Sequence, residues 1–128
     1  MPPIERLMVD GQAKPFSHYC HVVKSGNLIW VSGTVGIAAD GSIPAGVVEQ
    51  FELAIASMDA CLKAAGAGAE HVVKVVVYLT DVRHREAVYR TMGEYIKDVH
   101  PVSTGLVVQA LARPEWLVEI DGTAVIPD

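Results

Sequence analysis

Glu119 is the residue of this sequence best placed to do chemistry. It interrupts the apolar run Trp116-Leu117-Val118-Glu119-Ile120, and strand alternation turns it to the face opposite Val118 and Ile120. A carboxylate in such surroundings must find water, a cation or a hydrogen-bond donor, or else its pKa rises. A surface acid on a wet strand face accounts for it equally well. A second concentration of reactive groups is Phe16-Ser17-His18-Tyr19-Cys20-His21. Here Cys20 is a candidate nucleophile with His18 or His21 as its base. Adjacent residues of an extended chain point to opposite faces, which argues against a direct Cys20–His21 pair. His18, Cys20 and His21 are also the natural metal ligands of this stretch, but no second ligand cluster with zinc-like spacing accompanies them, so no metal is expected. Ser32-Gly33-Thr34-Val35-Gly36 follows a strand and could offer backbone N–H groups to an anion. It matches neither the dinucleotide-binding glycine pattern nor a P-loop, and a tight turn explains its glycines as well. His71, His84 and His100 have no partners near them in sequence, and no Ser-His-Asp order stands out.

The elements that must position these groups follow from periodicity. His21–Lys24 and Leu28–Ser32 read as strands around the turn Ser25-Gly26-Asn27. A helix is expected from Val47 to Ala65, with Phe51, Ile55, Met58, Leu62 and Ala65 along one face and Gly66 as the left-handed stop. Val72–Leu79, β-branched almost throughout, reads as a strand buried on both faces. A second helix starts near Asp81, a plausible N-cap, and ends before Pro101, with Val88, Met92, Tyr95 and Ile96 as its apolar stripe. Strands Ser103–Gln109 and Trp116–Val125 close the chain, joined by a hairpin turn through Ala112-Arg113-Pro114-Glu115. The pattern is α+β: one mixed sheet with both helices on one face. Two helices leave the other sheet face, with its Leu, Val and Trp residues, to be covered by further copies of the chain.

Length and composition bound the function classes. The chain has 128 residues, enough for one domain spanning residues 1–128. With 51% hydrophobic and 20% charged residues it is no disordered segment. Ten Lys+Arg against fifteen Asp+Glu give a net charge of −5, and no basic cluster is present to neutralise phosphates, so no nucleic-acid partner is expected. No apolar run approaches the ~20 residues of a membrane span, and residues 1–6 have no signal-like apolar region, so no membrane partner and a cytoplasmic location are expected. Two cysteines make no disulfide framework.

Read end to end, the sequence resembles the Rid family, the reactive-intermediate deaminases also called the YjgF family. The similarity runs through Tyr19–Leu28, Val31-Ser32-Gly33, Leu62-Lys63-Ala64-Ala65-Gly66, Val72-Val73-Lys74 with Tyr78-Leu79-Thr80-Asp81, and Leu111–Glu115 leading into Leu117–Asp121. These segments keep family order and spacing over nearly the whole length. The resemblance implies a chorismate-mutase-like α+β fold. It also implies a homotrimer whose sheets line a central barrel, with ligand clefts between adjacent subunits. The implied activity is hydrolysis of enamines and imines, small-molecule substrates, to a ketone and ammonia without a cofactor. In this reading Glu119 positions the attacking water, Tyr19 stands at the family's catalytic tyrosine, and Ser32 and Gly33 bind substrate.

The sequence also departs from the family. In the segment Pro101-Val102-Ser103-Thr104-Gly105, Ser103 stands where the deaminases carry an Arg that grips the substrate carboxylate, and Gly105 stands where Cys or Thr is usual. Tyr89 stands where the second helix often has Asn. A serine hydroxyl cannot replace a bidentate guanidinium. Its loss typically costs ~2–5 kcal/mol of binding, so the usual 2-imino acids should react roughly 30- to several-thousand-fold worse. Gly105 is expected to enlarge the pocket, with Tyr19, Tyr89 and Trp30 as aromatic walls and Cys20 close by. Four functions compete, in this order: a hydrolase retuned to another small reactive intermediate, a non-catalytic trimer binding a metabolite or protein partner in the same clefts, covalent capture of the substrate by Cys20, and the ribonuclease or translation inhibition attributed to some relatives, which the acidic balance disfavours.

Overall fold

The structure, a computed structural model, describes residues 2–128. Six strands form one sheet in the order β1-β2-β3-β6-β4-β5. They are β1 Ile4–Leu7, β2 Val22–Ser25, β3 Leu28–Thr34, β4 Val72–Leu79, β5 Val102–Val107 and β6 Val118–Val125. All neighbours are antiparallel except β4 and β5, which run parallel. A parallel pair needs a crossover, and here the second helix, α2 at Arg85–Ile96, supplies it. Helix α1, Val47–Ala64, ends one residue short of the expected bound, while α2, Arg85–Ile96, gives way to a 3-10 turn, Lys97–Val99, ahead of Pro101 and begins four residues after Asp81. There Asp81 accepts the Arg83 backbone N–H at 2.9 Å and caps a 3-10 turn, Val82–His84, that leads into the helix.

Alternation on the central strands builds the core. Val118, Ile120 and Ala124 of β6 are buried, while Glu119, Asp121 and Thr123 turn to the other face. Beside them lie Ile29 and Val31 of β3 and Val75, Val77 and Leu79 of β4, all buried. The α1 stripe of Phe51, Ile55, Met58 and Leu62 closes over this face, joined by Val88, Met92 and Ile96 of α2. Removing that much apolar surface from water is the main stabilising contribution, at ~25 cal/mol per Å². Gly66 adopts the left-handed conformation foreseen for the stop of α1, with φ of 85°.

Three expectations are corrected. Strand β1 was not foreseen: four residues after two prolines are too short to show a period, and pairing with β2 decides their conformation. Val72–Leu79 is not buried on both faces within one chain, because Val73 is 43% exposed and Lys74 is exposed beside it. Finally, β5 and β6 form no hairpin. Strand β4 lies between them, so residues 108–117 cross its end, and β5 becomes the sheet edge, exposed along its whole length.

Candidate functional site

Strand pairing decides where Glu119 sits. It opposes Tyr78 on β4 while Thr34 of β3 opposes Ile120, with a register irregularity in β3 between Val31 and Thr34. That irregularity brings Gly33 directly against the carboxylate. A Cβ at position 33 would lie 2.2 Å from Glu119 Oε2, so only glycine leaves room for it. A cleft of about 360 Å³ opens at this point, lined by Lys14, Tyr19, Ser32, Gly33, Trp116 and Glu119 among others. Burial pushes the Glu119 carboxyl above the usual carboxylate range, and the neighbouring Asp121 carboxylate adds in the same direction. Asp121 itself accepts the Tyr78 hydroxyl at 2.7 Å, and that bond leads the effects that push the phenol up to about 12. Glu119 is thus a half-buried acid that holds its proton more tightly than a surface carboxylate, with a cleft in front of it.

The cleft wall opposite the sheet is the segment between β1 and β2. Tyr19 is 45% exposed, and its hydroxyl oxygen accepts the Phe16 backbone N–H at 3.2 Å, leaving the O–H free to donate. Phe16 packs edge-on against Trp116 with ring centroids 6.4 Å apart, and the Trp116 indole N–H donates to the Gly36 carbonyl at 3.1 Å. His21 fastens this segment. Its Nδ1 accepts the Val9 N–H at 2.8 Å, so the proton lies on Nε2, which donates to the Ala13 carbonyl at 2.8 Å. Both ring nitrogens are committed to the backbone, so His21 is a clip and not a base for Cys20. The Cys20 thiol in turn donates to the Val22 carbonyl at 3.4 Å and lies with Trp30 in an adjoining groove. Among the described residues, no three His, Cys, Asp or Glu side chains gather into a set able to hold a metal ion.

The remaining candidates form a separate group. Ser103 and Gly105 pair with Val75 and Val77, residues of the helix-covered face, whereas Glu119 is on the opposite face and two strands away. That is about 10 Å laterally at ordinary strand spacing. Within one chain Ser103, Gly105 and Tyr89 therefore do not meet Glu119. They do meet one another. The Tyr89 hydroxyl is 3.1 Å from Ser103 Oγ, and a Cβ at position 105 would stand 2.5 Å from the same hydroxyl. Gly105 therefore does not enlarge a pocket: Tyr89 fills the space it leaves.

Sequence reasoning missed Gln50. This α1 residue is fully buried. Its side-chain amide donates to the Pro44 and Glu115 carbonyls at 2.8 and 2.9 Å, and its oxygen accepts the Leu117 N–H at 2.8 Å. It thereby ties the chain just ahead of Glu119 to the helix. The available signal was a glutamine next to Phe51 on the inward side of an amphipathic helix.

The fold and its cleft define a chorismate-mutase-like α+β protein. Residues 11–126 match the protein family described as endoribonuclease L-PSP. A RutC family protein of Pyrococcus abyssi is 31% identical over 94% of this chain and 95% of its own. The 2-iminobutanoate/2-iminopropanoate deaminase of Mus musculus is 33% identical over 84% and 80%. Among solved structures, RidA from the Antarctic bacterium Psychrobacter superposes with a TM-score of 0.87 at 26% identity, covering 94% of this chain and all of that one. The chain belongs to this family, the Rid or YjgF family.

Proposed function

We propose that the protein is a cofactor-independent hydrolase of enamines or imines, acting in the cytoplasm as a homotrimer whose inter-subunit clefts join the Glu119 face of one copy to the Ser103 edge of the next. The observation that carries this reading is the Glu119 carboxyl: half-buried, raised in pKa by that burial, and fitted against Gly33 at the back of a cleft. The name of the mouse relative supports the reaction class.

In this reading Glu119 takes a proton from a bound water as the water adds to the imine carbon. It returns that proton to nitrogen, giving a carbinolamine, then takes the carbinolamine hydroxyl proton and passes it to nitrogen as the C–N bond breaks, leaving a ketone and ammonia. An enamine is first protonated on carbon. Tyr19 and Ser32 hold the substrate from the two sides of the cleft. Such acid–base help is worth ~10²–10⁴-fold, enough for compounds that already hydrolyse in water. Substrates other than the usual 2-imino acids are proposed because Ser103 is engaged by Tyr89 and offers no guanidinium. The same engagement favours the second reading, a trimer that binds a metabolite without turning it over. A net charge of −5 makes RNA, which the family description suggests, the weakest of the three.

The test is release of ammonia from imines generated in situ by an amino-acid oxidase, with wild type and Glu119→Gln side by side. A rate above the uncatalysed one that falls ~10²–10⁴-fold in Glu119→Gln supports the hydrolase. Equal rates in both proteins across charged and neutral imines overturn it and leave the binding reading.

A further inference from the structure

The three departures from the family pattern, Tyr89, Ser103 and Gly105, are one interlocked unit in the structure, and that unit carries a cation. The Arg85 guanidinium lies over the Tyr89 ring, 4.9 Å from its centroid. Tyr89 is held from its other end by the Ser103 hydroxyl at 3.1 Å, in the space that Gly105 leaves open. An aromatic ring fixed at both ends is a platform: it orients a guanidinium lying on its face while the N–H fork at the edge stays available. The neighbouring charges do not use that fork. Arg83 pairs with Asp81 at 2.6 Å and Arg90 with Glu86 at 2.9 Å, and among the described residues no carboxylate forms an ion pair with Arg85.

We infer that Arg85, seated on Tyr89, is the anion anchor of this site, and that the ligand it takes bears its carboxylate away from the carbon that carries the reacting C=N or C=O group. The cation has moved rather than vanished. An Arg at position 103 would project from strand β5, whereas Arg85 projects from the first turn of α2, one helical turn from the residue that touches Ser103. One turn is about 5.4 Å. The Tyr89 ring lies between the Ser103 hydroxyl and the Arg85 guanidinium, so the cation is displaced from position 103 and is assigned to a ligand whose carboxylate is set further from its reactive carbon than in a 2-oxo or 2-imino acid. The inference rests on the hydrolase reading for its choice of ligand class, but its test needs only binding.

The probes are three stable carbonyl compounds: 4-oxopentanoate, its methyl ester, and 2-oxopropanoate. Each is titrated into the full-length protein and followed by calorimetry or ligand NMR. Wild type is expected to bind 4-oxopentanoate at least tenfold more tightly than either the ester or 2-oxopropanoate. Arg85→Gln should lose that tenfold preference over the ester, and Arg85→Lys should recover part of it. The double variant Ser103→Arg/Tyr89→Asn dismantles the platform and should move the preference to 2-oxopropanoate. Because Arg85 is exposed, Arg85→Gln should keep the wild-type thermal midpoint, so a lost preference is not a folding failure. The inference is overturned if wild type shows no preference for the carboxylate over its ester, or if Arg85→Gln retains it. Carboxylate binding that depends on Arg85, together with no imine turnover, removes the hydrolase reading and leaves this one standing. Turnover that depends on Glu119 but is indifferent to Arg85 does the reverse.

Discussion

The Glu119 cleft and the Ser103 edge belong to one sheet, yet they are built under different constraints. Glu119 is on β6, a strand paired on both sides, by β3 and by β4. Its backbone cannot shift without disturbing two ladders, and the residues around it are fitted closely: Gly33 against the carboxylate, Gln50 on the segment just before it, Trp116 under Phe16. Ser103 and Gly105 lie on β5, which has one neighbour and is exposed along its length in the single chain. Side chains there answer to few partners, so their exchange against Tyr89 disturbs little else. In the proposed reading, the central strand holds the acid–base group in place while the ligand-gripping groups on the edge strand are free to be exchanged.

Substitutions test that contrast directly: changes at the cleft should be felt in folding or in turnover, and changes at the edge should stay within the Ser103, Gly105 and Tyr89 group. The largest effect is expected from Gln50→Leu. It leaves the Leu117 N–H and two carbonyls without their partner in a dry interior, and about 2–5 kcal/mol should be lost in urea unfolding. A loss below 1 kcal/mol would show that the cleft is not held from α1. Gly33→Ala comes next. The added methyl displaces a flexible carboxylate and no backbone, so stability should change little while turnover falls about 100-fold, the usual penalty for misplacing a reacting group by 1 Å. Unchanged turnover would dissociate Gly33 from Glu119.

At the edge, Gly105→Ala should destabilise by about 1–2 kcal/mol, because its methyl meets the Tyr89 hydroxyl. Adding Tyr89→Phe should relieve part of this, a non-additivity that a double-mutant cycle measures. Additive losses would mean that the two residues are independent. The smallest effect concerns pH. The folded Glu119 carboxyl titrates above its unfolded value because burial penalises the charged form. Stability it contributes when protonated is fully present below the ordinary Glu value of about 4.3 and is lost as pH rises through the higher folded value. Glu119→Gln should therefore raise the thermal midpoint slightly at pH 7, with the gain gone below about pH 4. A gain that persists in acid would assign the effect to packing instead of charge.

Much of this molecule is written in local pattern. The α1 stripe, the α2 stripe of Val88, Met92 and Ile96, the strand faces of β6 and the outward turn of Glu119 follow from periods of 3.6 and 2, which depend only on backbone geometry. The open sheet face was legible too, since two helices cannot cover both sides of the strands they accompany. What the sequence could not decide was which distant groups share space. That β4 lies between β5 and β6, so that no hairpin forms, depends on pairings across the chain. That His21 spends both nitrogens on the backbone at Val9 and Ala13 depends on the path of a loop with no period of its own. Ser103, Gly105 and Tyr89 read as three separate substitutions, and only their approach in the fold makes them one unit with Arg85. Periodicity assigns each side chain to a face. Only the packing of elements far apart in the chain determines which side chain it meets there.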